Sequence, residues 1–332
     1  MAFDAGTGLI AANEETNALV RKLGQGSDLL ASLAKAVAPF ALIVEKSATG
    51  SHLVGDRPAI VFVRHFATRL ESHLKTHGMP LDPGTVRACI DEAMTDVLKH
   101  DLTLRLEGIL QPIRPYSMSQ LAFAYDLMDR ECPLVFGLGP TGTGKTFLAI
   151  AAALNQLHIG NVKHVVITKP HEMIHGEQMN AAKRAETVRD EQFTVYFDIL
   201  SDLIGKSTVD AMIERRQLEV TPIGLLRGRT LADSFILIDE AQNIDKHWMR
   251  LAVSRAGKNS RTIITGDPAQ STRPSGEVSG LSHLLQMIKG RDIARLHQFA
   301  PKDIVRNDTV AQLETLYAAA GETDLDLALQ RD

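Results

Sequence analysis

One run of eight residues constrains this chain more than any other: Gly139-Pro140-Thr141-Gly142-Thr143-Gly144-Lys145-Thr146, between the apolar PLVFGL and the helix-forming FLAIAAALNQL. A GxxxxGK[ST] pattern between a strand and a helix dictates a turn whose backbone amides converge on an anion. Glycines let the backbone wrap phosphate oxygens with no Cβ in the way, and the amides at the start of the following helix donate to the negative charge. On this reading Gly139 to Thr146 cradle the phosphates of ATP and Lys145 bridges its β and γ groups. Thr146 offers a hydroxyl to Mg²⁺, which prefers hard oxygen donors. A glycine turn with a solvated lysine is the plain alternative, and the complete pattern in its flanking context argues against it.

A second constellation lies downstream. FILIDE reads as an apolar strand ending in Asp239 and Glu240, and carboxylates at the carboxyl end of a parallel strand lie where such sheets bind ligands. Asp239 is expected to hold Mg²⁺ through water, and Glu240 to orient or deprotonate an attacking water. An acidic pair at a helix start is the alternative. The next strand, RTIIT, runs into Gly266-Asp267-Pro268-Ala269-Gln270, which brings a polar group to the same edge. Gln270 is expected to contact the γ-phosphate or the water, while Asp267 serves equally well as a turn cap.

Around these motifs the chain changes character once. Residues 15 to 37 carry apolar positions at helical spacing, FALIVE (40 to 45) reads as a strand, and ATGSH reads as a turn. GDRPAIVFVRHFATRLESHL reads as a connection entering a helix with Leu70 and Leu74 inward, and a further helix over Val86 to Leu98 follows Asp82 and Pro83. A short extended piece near 102 to 106 precedes a glycine- and proline-bearing stretch, Gly108 to Pro115. The expected organisation is a small α+β domain over 1–110, an α/β domain over 111–320 and a loose acidic tail over 321–332. In the second domain PLVFGL, HVVIT, FILID and RTIIT alternate with helical stretches, the pattern of a parallel sheet flanked by helices. A last helix is expected over Val310 to Ala320.

Composition narrows the function classes. With 332 residues and 44% hydrophobic content the chain can build a core in each of two domains, which excludes a disordered or fibrous protein. A net charge of −4 lays no whole-chain basic field for nucleic acid, although Lys183, Arg184 and Arg189 form a local basic segment that reads as a polyanion-facing loop or as a solvated helix face. The two cysteines, Cys89 and Cys132, lack metal-ligand spacing and read as buried, inert thiols. Neither a secretory start nor a long apolar run is present, so no membrane association and a cytoplasmic location are expected.

In order, GPTGTGKT, ITKP, DEAQN and TGDPAQ resemble the nucleotide-binding half of superfamily-one helicases. More closely, with KPHEMIHGE (169 to 177), LLRGRTLADSFILIDEAQN (225 to 243) and KDIVRNDTV (302 to 310), the chain is similar to the PhoH-like, phosphate-starvation-inducible ATPases. The resemblance implies a RecA-like P-loop NTPase fold, ATP hydrolysis, and an assembly of several copies such as a hexameric ring. It also implies that Gln120 reads the adenine edge, which a glutamine does with two hydrogen bonds; a solvated helix residue is the alternative. Lys169 replaces the family's usual arginine, and QMNAAKRAET replaces its glycine- and proline-containing stretch. The first domain faintly resembles a KH-like module but carries no GxxG between residues 1 and 106, so RNA binding and assembly both stay open for it.

About sixty residues follow GDPAQ, and a second helicase domain is not expected among them. The arginine that would complete the site is then expected from a neighbouring copy, with Arg306 as first candidate and Arg227 and Arg229 as alternatives. Each reads equally as a surface ion pair. RNA remodelling, on RNA itself or with an RNA-processing protein, and an ATP-gated scaffold for a protein partner are the two functions the sequence keeps open. A small-molecule kinase fits poorly, because no acceptor pocket is apparent.

Overall fold

The computed structural model describes residues 10–12, 14, 17–18, 27–38, 40–47, 50–77, 82–170, 191–270, 278–305, 312–313 and 316. The chain divides into two units: Met1–Leu104 with Ile113–Ala122, and Arg105–Pro112 with Phe123–Asp332.

In the first unit β1 (Ile10–Ala11), β2 (Leu42–Ser47) and β3 (Gly50–Gly55) form an antiparallel sheet in the order β1-β3-β2, accompanied by α1 (Ser27–Val37), α2 (Arg57–His77) and α3 (Pro83–Asp96). The β2–β3 register runs from Leu42 opposite Gly55 to Ser47 opposite Gly50, so Gly50, Ser51 and His52 are strand where the sequence reads as turn. Cross-strand pairing overrides the weak β-preference of a Gly-Ser-His string. Likewise α2 begins at Arg57 rather than after a connection, because Pro58 falls in the first turn, where its missing N–H needs no partner. The helix buries Ala59, Phe62, Val63, Phe66 and Leu70, with the rings of Phe62 and Phe66 6.4 Å apart, and leaves Leu74 half-buried. Asp82 caps α3 by accepting the Thr85 amide at 3.0 Å, and the helix ends in a π-helical turn over Val97–Asp101. The extended piece expected near 102 to 106 is a single antiparallel bridge between Leu104 and Ile113.

The second unit receives the end of α4 (Met118–Met128) and then β4 (Leu134–Leu138), α5 (Lys145–His158), β5 (His164–Lys169), α6 (Glu191–Ile204), α7 (Lys206–Glu214) and β6 (Leu218–Pro222). β7 (Ser234–Ile238), α8 (Lys246–Val253), β8 (Arg261–Gly266), α9 (Gly280–Ile288) and β9 (Arg295–Gln298) complete it. The six strands form one sheet in the order β6-β5-β7-β8-β4-β9, with every pairing parallel. β7 and β8 are buried along their whole length, which is why they read as unbroken apolar runs. The core joins Phe136, Ile236, Ile238 and Ile264 to Met249, Leu281 and Ile288 from the covering helices. Arg261 is buried at the start of β8 and donates to the carbonyls of Asp126, Leu127 and Cys132 at 2.7, 2.5 and 2.9 Å, satisfying acceptors at the end of α4. Burial pushes the pKa of that guanidinium down from its ordinary value.

This order sets β8 between β4 and β7, so the carboxyl ends of three adjacent strands carry the loop, the acidic pair and the GDPAQ motif. A sheet whose neighbours are not consecutive in sequence leaves a crevice at that edge. Among the described residues no helix is long and apolar enough to cross a membrane. Of the helix expected over 310 to 320 only Gln312, Leu313 and Leu316 are described, all helical, and the acidic tail lies outside the described residues.

Candidate functional site

The loop after β4 is built by conformations only glycine adopts cheaply. Gly144 stands at φ 78° as the N-cap of α5, and Gly139 at φ 128°, where a Cβ would run into the carbonyl of Phe299. Neighbouring strands pin the loop: the Gly139 amide donates to Gly266 O at 3.1 Å, the Phe299 amide to Leu138 O at 2.7 Å and the Val305 amide to Gly142 O at 3.0 Å. Lys145 is 8% exposed and its ammonium donates to the carbonyls of Gly139 and Pro140, both at 2.6 Å, and to the Thr143 hydroxyl at 3.1 Å. Thr143 in turn donates to Pro140 O at 2.9 Å.

Asp239 is where the motifs meet. Its amide donates to Thr168 O, which seats it at the end of β7, and its carboxylate accepts hydrogen bonds from three hydroxyls. Thr146 reaches it at 3.0 and 3.1 Å, Thr265 of β8 at 2.5 Å and Tyr196 of α6 at 3.0 Å. Tyr196 is 1% exposed, and burial, followed by the charge and hydrogen bond of Asp239, pushes its phenol pKa well above the ordinary value. Glu240 adopts φ 52°, a left-handed conformation that costs a non-glycine residue about 1 kcal/mol and recurs at functional turns. Much of the residue is accessible, yet desolvation of its carboxyl group, followed by the charge of Asp239, raises its pKa, while Gln242, Lys145 and Lys169 act in the opposite direction.

Gln242 ties the two strand ends together. Its amide nitrogen donates to Glu240 at 2.7 Å and its oxygen accepts the Asp267 amide at 3.0 Å. Asp267 accepts the Ala269 amide at 3.0 Å, the turn-capping role open to it. Gln270 is exposed, and its side-chain oxygen accepts from the Thr141 hydroxyl at 3.1 Å, which links the GDPAQ motif to the loop.

A cavity of about 310 Å³ connects these groups, lined by the loop from Thr141 to Thr146, by Asp239, Glu240 and Gln242, and by Lys169, Tyr196 and Ile199 on the far wall. A cavity of about 410 Å³ in the first unit, between α2 and α3, is larger, but its arginine, Arg69, is already engaged by Asp96 and Glu92. The smaller cavity gathers the chemistry: anion donors, oxygen ligands and a carboxyl group of raised pKa line the same space.

The remaining candidates are placed less centrally. Gln120 lies in the first unit, 3% exposed, and its side-chain oxygen accepts the Tyr116 amide at 2.7 Å, so it is a buried residue rather than a solvated one. Arg229 makes a bidentate ion pair with Glu219 of its own chain, both bonds 2.7 Å, while Arg227 is exposed. Arg306, Lys183, Arg184 and Arg189 lie outside the described residues. Cys89 and Cys132 are both buried and unpaired as disulfides, and burial raises the Cys89 thiol pKa. Tyr196 and Thr265 carry no signal of their own in the sequence: Thr265 sits inside the apolar run RTIIT, and Tyr196 lies in FTVYFDIL, which matches no motif.

Residues 112–318, more than half of the chain, match the family model described as PhoH-like protein. The chain belongs to the PhoH-like family. A PhoH-like protein of Bacillus subtilis (strain 168) is 33% identical over 228 residues, covering 68% of this chain and 70% of the relative. A PhoH-like protein of Mycobacterium leprae (strain TN) is 32% identical over 258 residues, covering 75% and 72%. Among solved structures, the SWI2/SNF2 ATPase core of Sulfolobus solfataricus in complex with dsDNA aligns with a TM-score of 0.35 at 17% identity, covering 65% of this chain and 45% of that one. The chain thus spans less than half of that solved protein. The PhoH-family unit is built on a parallel six-stranded sheet accompanied by helices, with the strand-loop-helix of the GPTGTGKT motif at its carboxyl edge.

Proposed function

We propose that this PhoH-family chain binds ATP with Mg²⁺, hydrolyses it, and uses the cycle to remodel RNA or RNA–protein complexes as a cytoplasmic homo-oligomer. The observation that carries the first half is the contact of Thr146 with Asp239 at 3.0 Å, which joins the phosphate loop to the acidic strand end across 93 residues of sequence. The donor set fits Mg²⁺, since a hydroxyl and a carboxylate side by side are hard oxygen ligands that leave the remaining positions to water and phosphate. Thr146 and Asp239 would hold the ion, which when bound neutralises phosphate charge.

The chain's own groups divide the rest of the work. Lys145 and the amides of the Gly139 to Thr146 loop, those of Gly139 and Pro140 apart, bind and orient the phosphates. Glu240, with its pKa raised and its carboxylate steered by Gln242, takes a proton from the attacking water, because a base works best with a pKa near the working pH. Gln270 senses the terminal phosphate and passes its position to Thr141 of the loop. The resemblance assigns adenine to Gln120, and the domain boundary stands near residue 110. A neighbouring copy is the proposed source of the arginine that completes the site, Arg306 first.

Calorimetry with Mg-ATP, followed by phosphate release with and without RNA, tests the reading. Uptake of Mg-ATP and turnover that rises with RNA and falls steeply with salt are expected. Absence of Mg-ATP binding would overturn the nucleotide half. Turnover indifferent to RNA, with nucleotide-dependent capture of a protein, would replace remodelling by a gated scaffold. Arg306→Ala is expected to abolish turnover and spare ATP binding, and an unchanged kcat would remove Arg306 as the finger.

A further inference from the structure

We propose that Lys169 is a further catalytic residue of this site, a cation from the same chain that faces the terminal phosphate of the bound triphosphate and stabilises the charge of its transfer to water. The inference rests on the nucleotide reading above. Lys169 is the last residue of β5, and the register of Thr168 opposite Ile238 sets it level with Asp239 at the sheet edge. It lines the cavity shared by Thr141, Lys145, Thr146, Asp239 and Glu240, and among the described lining residues it is the one cation besides Lys145.

Its ammonium is held by an aromatic wall. The nitrogen lies 5.2 Å from the ring centre of Phe193 and 5.8 Å from that of Tyr196, within the range of a cation–π contact, and both rings are less than 2% exposed. The Tyr196 hydroxyl donates to Asp239 at 3.0 Å, so one phenol positions a positive charge by its face and a negative charge by its oxygen. Such fixed charges need no rearrangement when the transition state forms.

The two lysines come from different elements, Lys145 from the start of α5 and Lys169 from the end of β5. Lys145 is rooted in the loop, on the carbonyls of Gly139 and Pro140. Lys169 comes from β5 beneath α6, and its charge is felt by Glu240, the base for the attacking water. In the step itself the water oxygen bonds to the terminal phosphorus, the bond from that phosphorus to the diphosphate oxygen breaks, and its electron pair leaves with ADP. The water proton passes to Glu240, and negative charge gathers on the terminal oxygens that Lys169 faces.

The test compares K169M and K169R with the wild-type full chain, using calorimetry with ADP and with a non-hydrolysable ATP analogue in Mg²⁺, together with single-turnover phosphate release. K169M is expected to bind ADP within about twofold of wild type while losing about tenfold in analogue affinity and about 100-fold in single-turnover rate. K169R is expected to recover part of both losses. Analogue affinity and rate within twofold of wild type would overturn the proposal, and so would equal losses for ADP and the analogue, which mark a wall residue without phosphate contact. If K169M fails to fold, K169Q carries the same comparison. If the wild type binds neither nucleotide, the nucleotide reading fails; if it binds and hydrolyses while K169M matches it, the role of Lys169 alone fails.

Discussion

The two units manage polar groups in opposite ways. In the first, charge stays at the surface: Arg69 pairs with Asp96 and Glu92, Lys75 with Glu71 and His65 with Asp101, around an interior of Phe62, Phe66 and Leu70. Among its described residues the buried polar side chains are Asn17 and Gln120, whereas Thr143, Lys145, Asp239, Gln242, Thr265 and Asp267 are all buried in the second, at the carboxyl ends of three adjacent strands. Burying a polar group costs free energy unless partners replace water, so a fold under selection for stability alone would not gather them at one edge. The difference teaches that the second unit is organised around a site and the first around a core.

Four substitutions break or sharpen that contrast. Lys145→Ala, at the centre of the polar edge, is expected to lower the phosphate-release rate by about 100-fold or more while far-UV circular dichroism stays unchanged. Arg261→Ala, which strands three buried carbonyls, is expected to cost about 2–4 kcal/mol in urea unfolding of the second unit, followed through the fluorescence of Trp248, the chain's single tryptophan.

Glu240→Gln tests the cost of the site itself. The folded-state pKa of Glu240 is raised, so its protonated form favours the fold, and the stability this gives is present at low pH and lost as pH rises through that pKa. Glu240→Gln is therefore expected to unfold at higher urea than wild type at neutral pH, with the gap closing as pH falls below the ordinary carboxylate range. The same variant should lose the acid limb of kcat/KM, which in wild type lies above that range. Arg69→Ala marks the other extreme. Its partners are 31% and 60% exposed, and the urea midpoint of the variant is expected to match that of wild type within error.

How much of this was legible in the sequence follows from where each signal is stored. PLVFGL, HVVIT, FILID and RTIIT became β4, β5, β7 and β8 because strands buried on both faces must be apolar throughout. LEVTP and RLHQ, which form β6 and β9, escaped notice because they edge the sheet; β9 is mostly exposed and its residues carry no apolar pattern. The Gly139 to Thr146 loop and the Asp239–Glu240 pair are local patterns, and the structure brings Thr146 and Asp239 into contact. The partners of Asp239 from elsewhere are not local: Tyr196 lies 43 positions away and Thr265 26, and nothing in either neighbourhood announces the encounter.

The amide of Val305, donating to Gly142, has a mechanical meaning. From Gln298 the backbone doubles back past Gly139 and is moored at the rim of the phosphate loop, seven positions after the sheet ends. Val305 is therefore moored to the part of the core that a ligand would disturb first. The bond works like a tiller on a rudder: a shift of the loop reaches Val305 without passing through the sheet.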